Sequence, residues 1–306
     1  MRRLPPFDAL VALDSSLRHR SVTLAARELG LTQSAISHRL KKLERFIGTP
    51  LLRRTAQGFT PTRAGVSLAE GLTELLDQMA ELRARARASV PGAALKVGLG
   101  TALAQHWLLA RLPEFASEHP EIDLEIVIAE SEAHARALDL DVQILWRPAD
   151  QARNTSTQRI LFRENVFPVA PPHLLPRGKP LKDVHLLARM PIVHKGRAGP
   201  DVGAEWSWNV WFERLGIEAP VPRGVRFDAI ATALSAAQRG LGVALGRSLL
   251  VADALAEKRL ARVLPPAWEM PSSKVHLVKW PAALAGDARV QTFARWIAGA
   301  AKATAR

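Results

Sequence analysis

Cysteine and tyrosine are both absent from this chain of 306 residues. Without a thiol there is no disulfide, no thiolate nucleophile and no Cys-ligated metal site. Also missing is any unbroken run of about 18 apolar residues, the length a bilayer-crossing helix needs. The N-terminus, MRRLPPFDALVALDSS, starts basic, but Asp8 and Asp14 interrupt the stretch where a signal peptide carries its apolar core. The expected location is the cytoplasm, with no membrane partner. The marks of common enzymes are missing as well: no His-Glu-x-x-His, no Gly-x-Ser-x-Gly, no phosphate-binding Gly-Lys-Ser/Thr loop. Gly98-x-Gly100 has Leu103 where a dinucleotide loop needs a third glycine, and Gly240-Leu241-Gly242 precedes a strand rather than following one. The nine histidines show no ligand spacing. No catalytic residue, cofactor or metal is therefore expected.

Positive charge is abundant and unevenly placed. The chain has 42 Lys+Arg against 29 Asp+Glu, a net +13. Residues 1–63 hold twelve of the basic residues but only four of the acidic ones, so this fifth of the chain carries +8 of the excess. Such asymmetry points to a polyanion-binding head rather than a uniformly basic surface.

The head reads as helices and a small hairpin. Pro5-Pro6 precedes a helix from Phe7 to about Leu17. Ser21 is an N-cap candidate before Val22, Ala25, Ala26 and Leu29, and Gly30 stops that helix. Thr32 caps the next, whose buried stripe is Ile36, Leu40 and Leu43; Gly48-Thr49-Pro50 ends it. LLRRTAQGFTPT then reads as two strands around a turn at Gln57-Gly58. Two helices on a tight turn followed by a basic hairpin make a winged helix-turn-helix. Opposite the buried stripe, the second of these helices shows Ser34, Ser37, His38, Lys41 and Arg45. Small donors near the N-terminus and cations further along are what a helix entering the major groove needs.

Residues 62–89 read as one long helix. Leu68, Leu72, Leu75, Met79 and Leu82 step by 4, 3, 4 and 3, a two-heptad seam expected to dimerise the chain, with packing on the head as the alternative. Ser89-Val90-Pro91-Gly92 closes it as a hinge. Beyond Ala94 strands and helices alternate: strands at 94–100, 122–129, 141–146, 166–170, 191–194, 242–245 and 274–278; helices ending at His119-Pro120 and over 206–215, 230–239, 247–257 and 288–302. This predicts α/β structure with largely parallel sheets.

These residues resemble a known family. SVTLAARELGLTQSAISHRLKKLERFIGTPLLRRTAQGFTPTRAG is similar to the head of LysR-type transcriptional regulators. WLLARLPEFASEHPEIDLEI, FRENVFPVAPPHLL and GLGVALGRSLLVADALAEKRL resemble their effector domain, most closely in the branch with the glycine-cleavage and β-lactamase regulators. Two departures stand out: Leu52 where the family often has Phe, and His276 where its last strand often carries Tyr. The resemblance implies a multi-domain α and α/β protein: a winged helix-turn-helix in 1–62, a dimerising linker helix and hinge in 63–92, and a periplasmic-binding-protein-like effector domain in 93–306. Lobe one would be 93–163 with 267–306, and lobe two 164–266, the chain crossing near Phe162 and Pro266. Trp206, Trp208 and Trp211 would pack a helix onto lobe two.

The expected partners are promoter double-stranded DNA, a small-molecule effector, RNA polymerase, and further copies of the chain as a homodimer or homotetramer. The residues assigned to DNA are Ser21, Thr32, Gln33, Ser34, Ser37, His38, Lys41, Arg53 and Arg54. Thr101, Trp146, His194 and Asp228, each at or near a strand end, are assigned to the effector, and Leu68, Leu72, Leu75 and Met79 to dimerisation. Thr101, at a helix start, would meet an anion or carboxylate. Two other readings stay open: a DNA-binding regulator whose α/β part serves only assembly, and a small-molecule enzyme.

Overall fold

The computed structural model describes residues 4–55, 58–88, 93–130, 134–135, 138–196 and 204–304. The Gln57 half of the expected turn and the hinge at 89–92 lie outside them. The chain divides into two units, Met1–Arg83 and Ala84–Arg306.

The first unit is built by its caps. Helix α1 (Phe7–His19) ends at Arg20 in the left-handed conformation. Ser21 Oγ accepts from Leu24 N at 3.3 Å and starts α2 (Val22–Glu28); Thr32 Oγ1 accepts from Ala35 N at 3.2 Å and starts α3 (Gln33–Ile47). Each hydroxyl satisfies a donor that the first helical turn leaves without a partner. Gly48, at φ 85°, closes α3, where a side chain would be strained. Ala9, Leu10, Leu13, Ile36, Leu40 and Leu43 fill the core between these helices. The wing strands β1 (Leu52–Thr55) and β2 (Gly58–Pro61) pair antiparallel. Glu44 Oε1 ties the wing to α3, accepting from Leu51 N at 2.8 Å and Leu52 N at 3.2 Å.

Helix α4 (Arg63–Ala88) runs 26 residues, about 39 Å at 1.5 Å per residue. Its apolar stripe has two different surroundings. Leu72, 3 % exposed, belongs to the head's own core, and Leu68 and Leu76 pack against it. Leu75, Met79 and Leu82 stay 45, 46 and 52 % exposed. The single seam expected from Leu68, Leu72, Leu75 and Met79 is thus corrected. Near its N-terminal end the stripe is covered by the head, and only its later turns are open.

The second unit centres on a seven-stranded sheet. In chain order its strands are β3 (Leu95–Leu99), β4 (Leu124–Ile128), β5 (Val142–Pro148), β6 (Gln158–Ala170), β9 (Ala244–Arg247), β10 (Ala261–Arg262) and β11 (Met270–Lys279). The spatial order is β10-β6-β11-β5-β3-β4, with β9 also on β6. A separate pair, β7 (His194–Lys195) and β8 (Arg226–Phe227), is parallel. The helices are α5 (Thr101–Leu103, continued by a π-helical turn Ala104–Leu108), α6 (Leu112–Glu118), α7 (Trp208–Arg214), α8 (Ile230–Gln238), α9 (Ser248–Ala256) and α10 (Ala288–Thr304).

The expectation of largely parallel sheets is corrected. β3 is parallel to β4 and β5, but β11 is antiparallel to β5 and β6, and β6 is antiparallel to β9 and β10. β11, late in the chain, docks between β5 and β6 and runs against both. β6 is 13 residues long, with Phe162 in its interior rather than before it. Of the three neighbouring tryptophans, Trp208 and Trp211 are buried in α7, their indoles donating to Val193 O and Glu205 O at 3.0 Å each. Trp206 lies outside that helix, in the 3-10 turn Ala204–Trp206.

Leu72→Glu is expected to place an unpaired charge in the head's core and to destabilise the head by several kcal/mol in chemical denaturation. Unchanged stability would contradict the placement of Leu72.

Candidate functional site

On the head, α3 turns its buried stripe inward and leaves Ser34, His38, Lys41 and Arg45 exposed, with Ser37 half-buried beside them. Some of the residues assigned to DNA are held within the scaffold. Ser21 and Thr32 are caps, and Thr32 Oγ1 also lies 2.9 Å from Ser34 Oγ. Gln33 Nε2 donates to Thr23 Oγ1 at 2.8 Å, fastening the first turn of α3 to α2. Arg39 pairs with Asp8 of α1 at 3.3 Å. Asp8, Ser34, Ala35, His38, Arg39 and Lys42 line a shallow concavity between the two helices. Arg53 is exposed on β1, opposite Thr60; the Arg54 side chain lies outside the described residues.

In the second unit, the four residues assigned to the effector do not have like surroundings. Thr101 opens α5, but its backbone N–H already donates to Glu130 Oε1 at 3.0 Å. The anion expected there is thus met from within the chain. Asp228 is exposed two residues before α8 and caps nothing; Ala229 is the N-cap. α5 packs on α8, and His106 of the π-helical turn bonds Ala231 O at 3.0 Å, so Thr101 and Asp228 belong to adjoining elements. His194 is spent differently: its Nε2 donates to Pro222 O at 3.1 Å, and burial pushes its ring pKa down. Because successive residues of a strand face opposite ways, its neighbour Lys195 takes the other side of β7. Trp146 lies on β5 directly across from His276 of β11.

Around Trp146 the structure gathers Glu164 and Arg247, which sequence reasoning missed, and His276, which it noted only as a departure from the family. Glu164 of β6, Arg247 at the end of β9 and His276 of β11 form a buried cluster, each at most 5 % exposed. Arg247 Nε donates to Glu164 Oε2 at 2.8 Å and its Nη2 bonds the same oxygen. His276 Nδ1 lies 3.2 Å from Glu164 Oε2, and Leu249 N donates to Oε1 at 3.3 Å. Burial alone would push the Glu164 carboxyl up; the Arg247 guanidinium and the His276 ring more than reverse this and hold it at about 2. Burial first, and the Arg247 charge second, push His276 down. The Arg247 guanidinium carbon sits 4.1 Å from the Trp146 ring centroid. Trp206 meets Trp146 edge-on, centroids 6.1 Å apart. The signal for this cluster was weak in the sequence: Glu164 and His276 alternate within strands, and nothing in their spacing announces a pair 112 positions away.

Two family models match the chain. Residues 7–66 match the bacterial regulatory helix-turn-helix protein, lysR family, and residues 88–302 the LysR substrate binding domain. The chain is 34 % identical over 262 residues to the glycine cleavage system transcriptional activator of Escherichia coli (strain K12), covering 85 % of this chain and 82 % of that protein. It is 31 % identical over 294 residues to the HTH-type transcriptional activator AmpR of Rhodobacter capsulatus, covering 96 % of each. Among solved structures, CrgA, a LysR-type transcriptional regulator from Neisseria meningitidis, has the same fold, with a TM-score of 0.52 at 19 % identity over 98 % of this chain and 99 % of that one. The effector domain of AmpR of Pseudomonas aeruginosa also scores 0.52, at 24 % identity over 70 % of this chain and 98 % of that one.

The buried cluster predicts a pH dependence. Glu164 is depressed from 4.5 to about 2, so its stabilisation is present above 4.5 and is lost as pH falls toward 2. His276 is depressed from 6.5, so its neutral form begins to cost stability below that pH. Glu164→Gln should strand the Arg247 charge, cost ~3–5 kcal/mol and flatten the acid limb of stability. Adding Arg247→Met should recover part of that loss. Additive losses in urea titrations of the three variants would contradict the pairing.

Proposed function

The chain belongs to the LysR family of transcriptional regulators, and from that membership we propose which residues read DNA, which join copies and which receive the effector. It is a DNA-binding regulator whose action is modulated by a small molecule bound in the C-terminal unit. The division we adopt is 1–62 for the DNA-binding domain, 63–92 for the linker helix and hinge, and 93–306 for the effector domain.

The observation that carries the DNA assignment is the exposed ladder Ser34, His38, Lys41 on α3, with Ser37 beside it. The opposite face of the same helix is locked into the head's core by Ile36, Leu40 and Leu43, so the ladder has a fixed outward direction. We assign Ser34, Ser37, His38 and Lys41 to the major groove and Arg53 of the wing to the backbone. Ser21, Thr32 and Gln33 support that reading face, through the caps and the bond to Thr23.

The later turns of α4 carry the oligomer assignment. Leu75, Met79 and Leu82 form an exposed apolar stripe that a second copy of the helix would cover, and two-fold symmetric DNA binders present their reading heads in pairs. The effector belongs in the cleft bordered by Thr101, Trp146 and Asp228. Its role is a population shift: it must bind one arrangement of the subunits better than another, and so alter contact with DNA and RNA polymerase. No helix among the described residues is long and apolar enough to cross a membrane. Membership in a family of DNA-binding regulators supports a cytoplasmic regulator rather than an enzyme.

Ser34→Ala and Ser37→Ala are each expected to weaken operator binding by ~1 kcal/mol or more without lowering the melting temperature. Arg53→Ala should weaken binding to all sequences alike and reduce the salt slope by about one. Unchanged operator affinity in both serine variants would move the reading face off α3. Met79→Glu should shift sedimentation toward a smaller species while the head keeps its stability; an unchanged oligomer would place the contact elsewhere.

A further inference from the structure

Around Trp146, among the described residues, hydrogen-bond donors and positive charge exceed the acceptors that satisfy them. Lys274 Nζ lies 4.5 Å from the Trp146 ring centroid, on a ring already approached by Arg247 at 4.1 Å. Lys195 Nζ lies 6.0 Å and Arg247 5.9 Å from the Trp206 centroid. Three cations thus surround one edge-to-face indole pair. Of the buried carboxylates here, Glu164 is taken up by Arg247, His276 and Leu249 N. Glu205, 6 % exposed, accepts from Ser273 N at 3.1 Å and Ser273 Oγ at 2.6 Å. Among the described residues neither Lys195 nor Lys274 makes an ion pair. Among the described residues the buried indole N–H groups of Trp146 and Trp206 have no acceptor, although burying such a donor without a partner costs free energy. Burial, and then the charges of Lys274 and Arg247, push the Lys195 ammonium below the usual lysine range, which is the condition of a cation awaiting a counter-charge.

We propose that the effector of this cleft is a small monocarboxylate with a compact apolar body, its carboxylate taken by Lys195, Lys274 and the indole N–H groups of Trp146 and Trp206. The charge balance selects a monoanion. Among the described residues, Arg247, Lys195 and Lys274 face Glu164 and Glu205, leaving one positive charge unanswered. A dianion such as phosphate would reverse the imbalance instead of closing it. The two indoles offer the effector's body an apolar wall, and a carboxylate's two oxygens can accept from several N–H donors at once. At the Thr101 end the chain presents carboxylate itself, from Glu130, so the anion's place is the Trp146 end. This inference rests on the reading of the cleft as the effector site.

The test is thermal shift of the full chain with acetate, isobutyrate and phenylacetate, each beside its uncharged amide. At least one acid should stabilise the protein at roughly a tenth of the concentration its amide needs. Lys195→Met and Lys274→Met should each weaken that acid about tenfold, with Lys182→Met, at an exposed position away from the cleft, as the unchanged control. Trp206→Phe, which keeps the wall and removes the N–H, should also weaken it. If no acid stabilises the protein, or none outdoes its amide, the carboxylate assignment is overturned. An amide bound as well as its acid, but lost in Trp206→Ala, would overturn the anion alone and keep the cleft. An acid bound equally by all the cleft variants would overturn both.

Discussion

Burying the guanidinium of Arg247 is the constraint on which the second unit depends. A charge taken out of water is tolerated only if it is paired and its hydrogen bonds are met. Arg247 ends β9, Glu164 lies on β6 and His276 on β11, so the pairing draws together three strands that the sequence holds far apart. Two of them, β6 and β11, lie side by side and antiparallel in the one sheet. Their register breaks between Pro271 and Val275 and again between His276 and Leu277, which brackets His276. Trp146, across from His276, and Trp206, edge-on to Trp146, take their places around this cluster. The placement of Trp146 and Trp206 is therefore only as well defined as the ion pair they pack against. Against a well-packed apolar cluster of the same volume such a pair adds little net stability; its consequence here is that only one arrangement satisfies it.

The head works under a different constraint. Its helices are short, 13, 7 and 15 residues, and would be marginal alone. Caps at Ser21 and Thr32 and a small core of Ala, Leu and Ile fix them, and Leu72 of α4 completes that core. One helix thereby serves two ends: its early turns finish the DNA-reading head, and its later turns expose the stripe through which copies can meet.

Much of the head was legible because its signals are local. Caps, stops and an apolar stripe at helical spacing each act within four residues, and the structure realises them at Ser21, Thr32, Gly48, Ile36, Leu40 and Leu43. The strand–helix alternation of the second unit was readable for the same reason. What was not legible is long-range. The antiparallel pairing of β6 and β11 depends on where a returning strand docks, which periodicity does not encode. His194 was singled out and Lys195 passed over because adjacent residues on a strand differ only by face, and the face is set by packing partners far away in sequence. The Leu72 seam failed likewise: a heptad pattern says that a stripe is apolar, not whether its own head or another chain covers it.

Selection of bound duplexes from a random library by the full chain measures most directly whether it reads a specific duplex sequence as a symmetric assembly through α3. The expected result is enrichment of a two-fold symmetric site, its half-sites separated by whole helical turns. Recovery of duplexes with no common sequence, at an affinity set by salt alone, would contradict it.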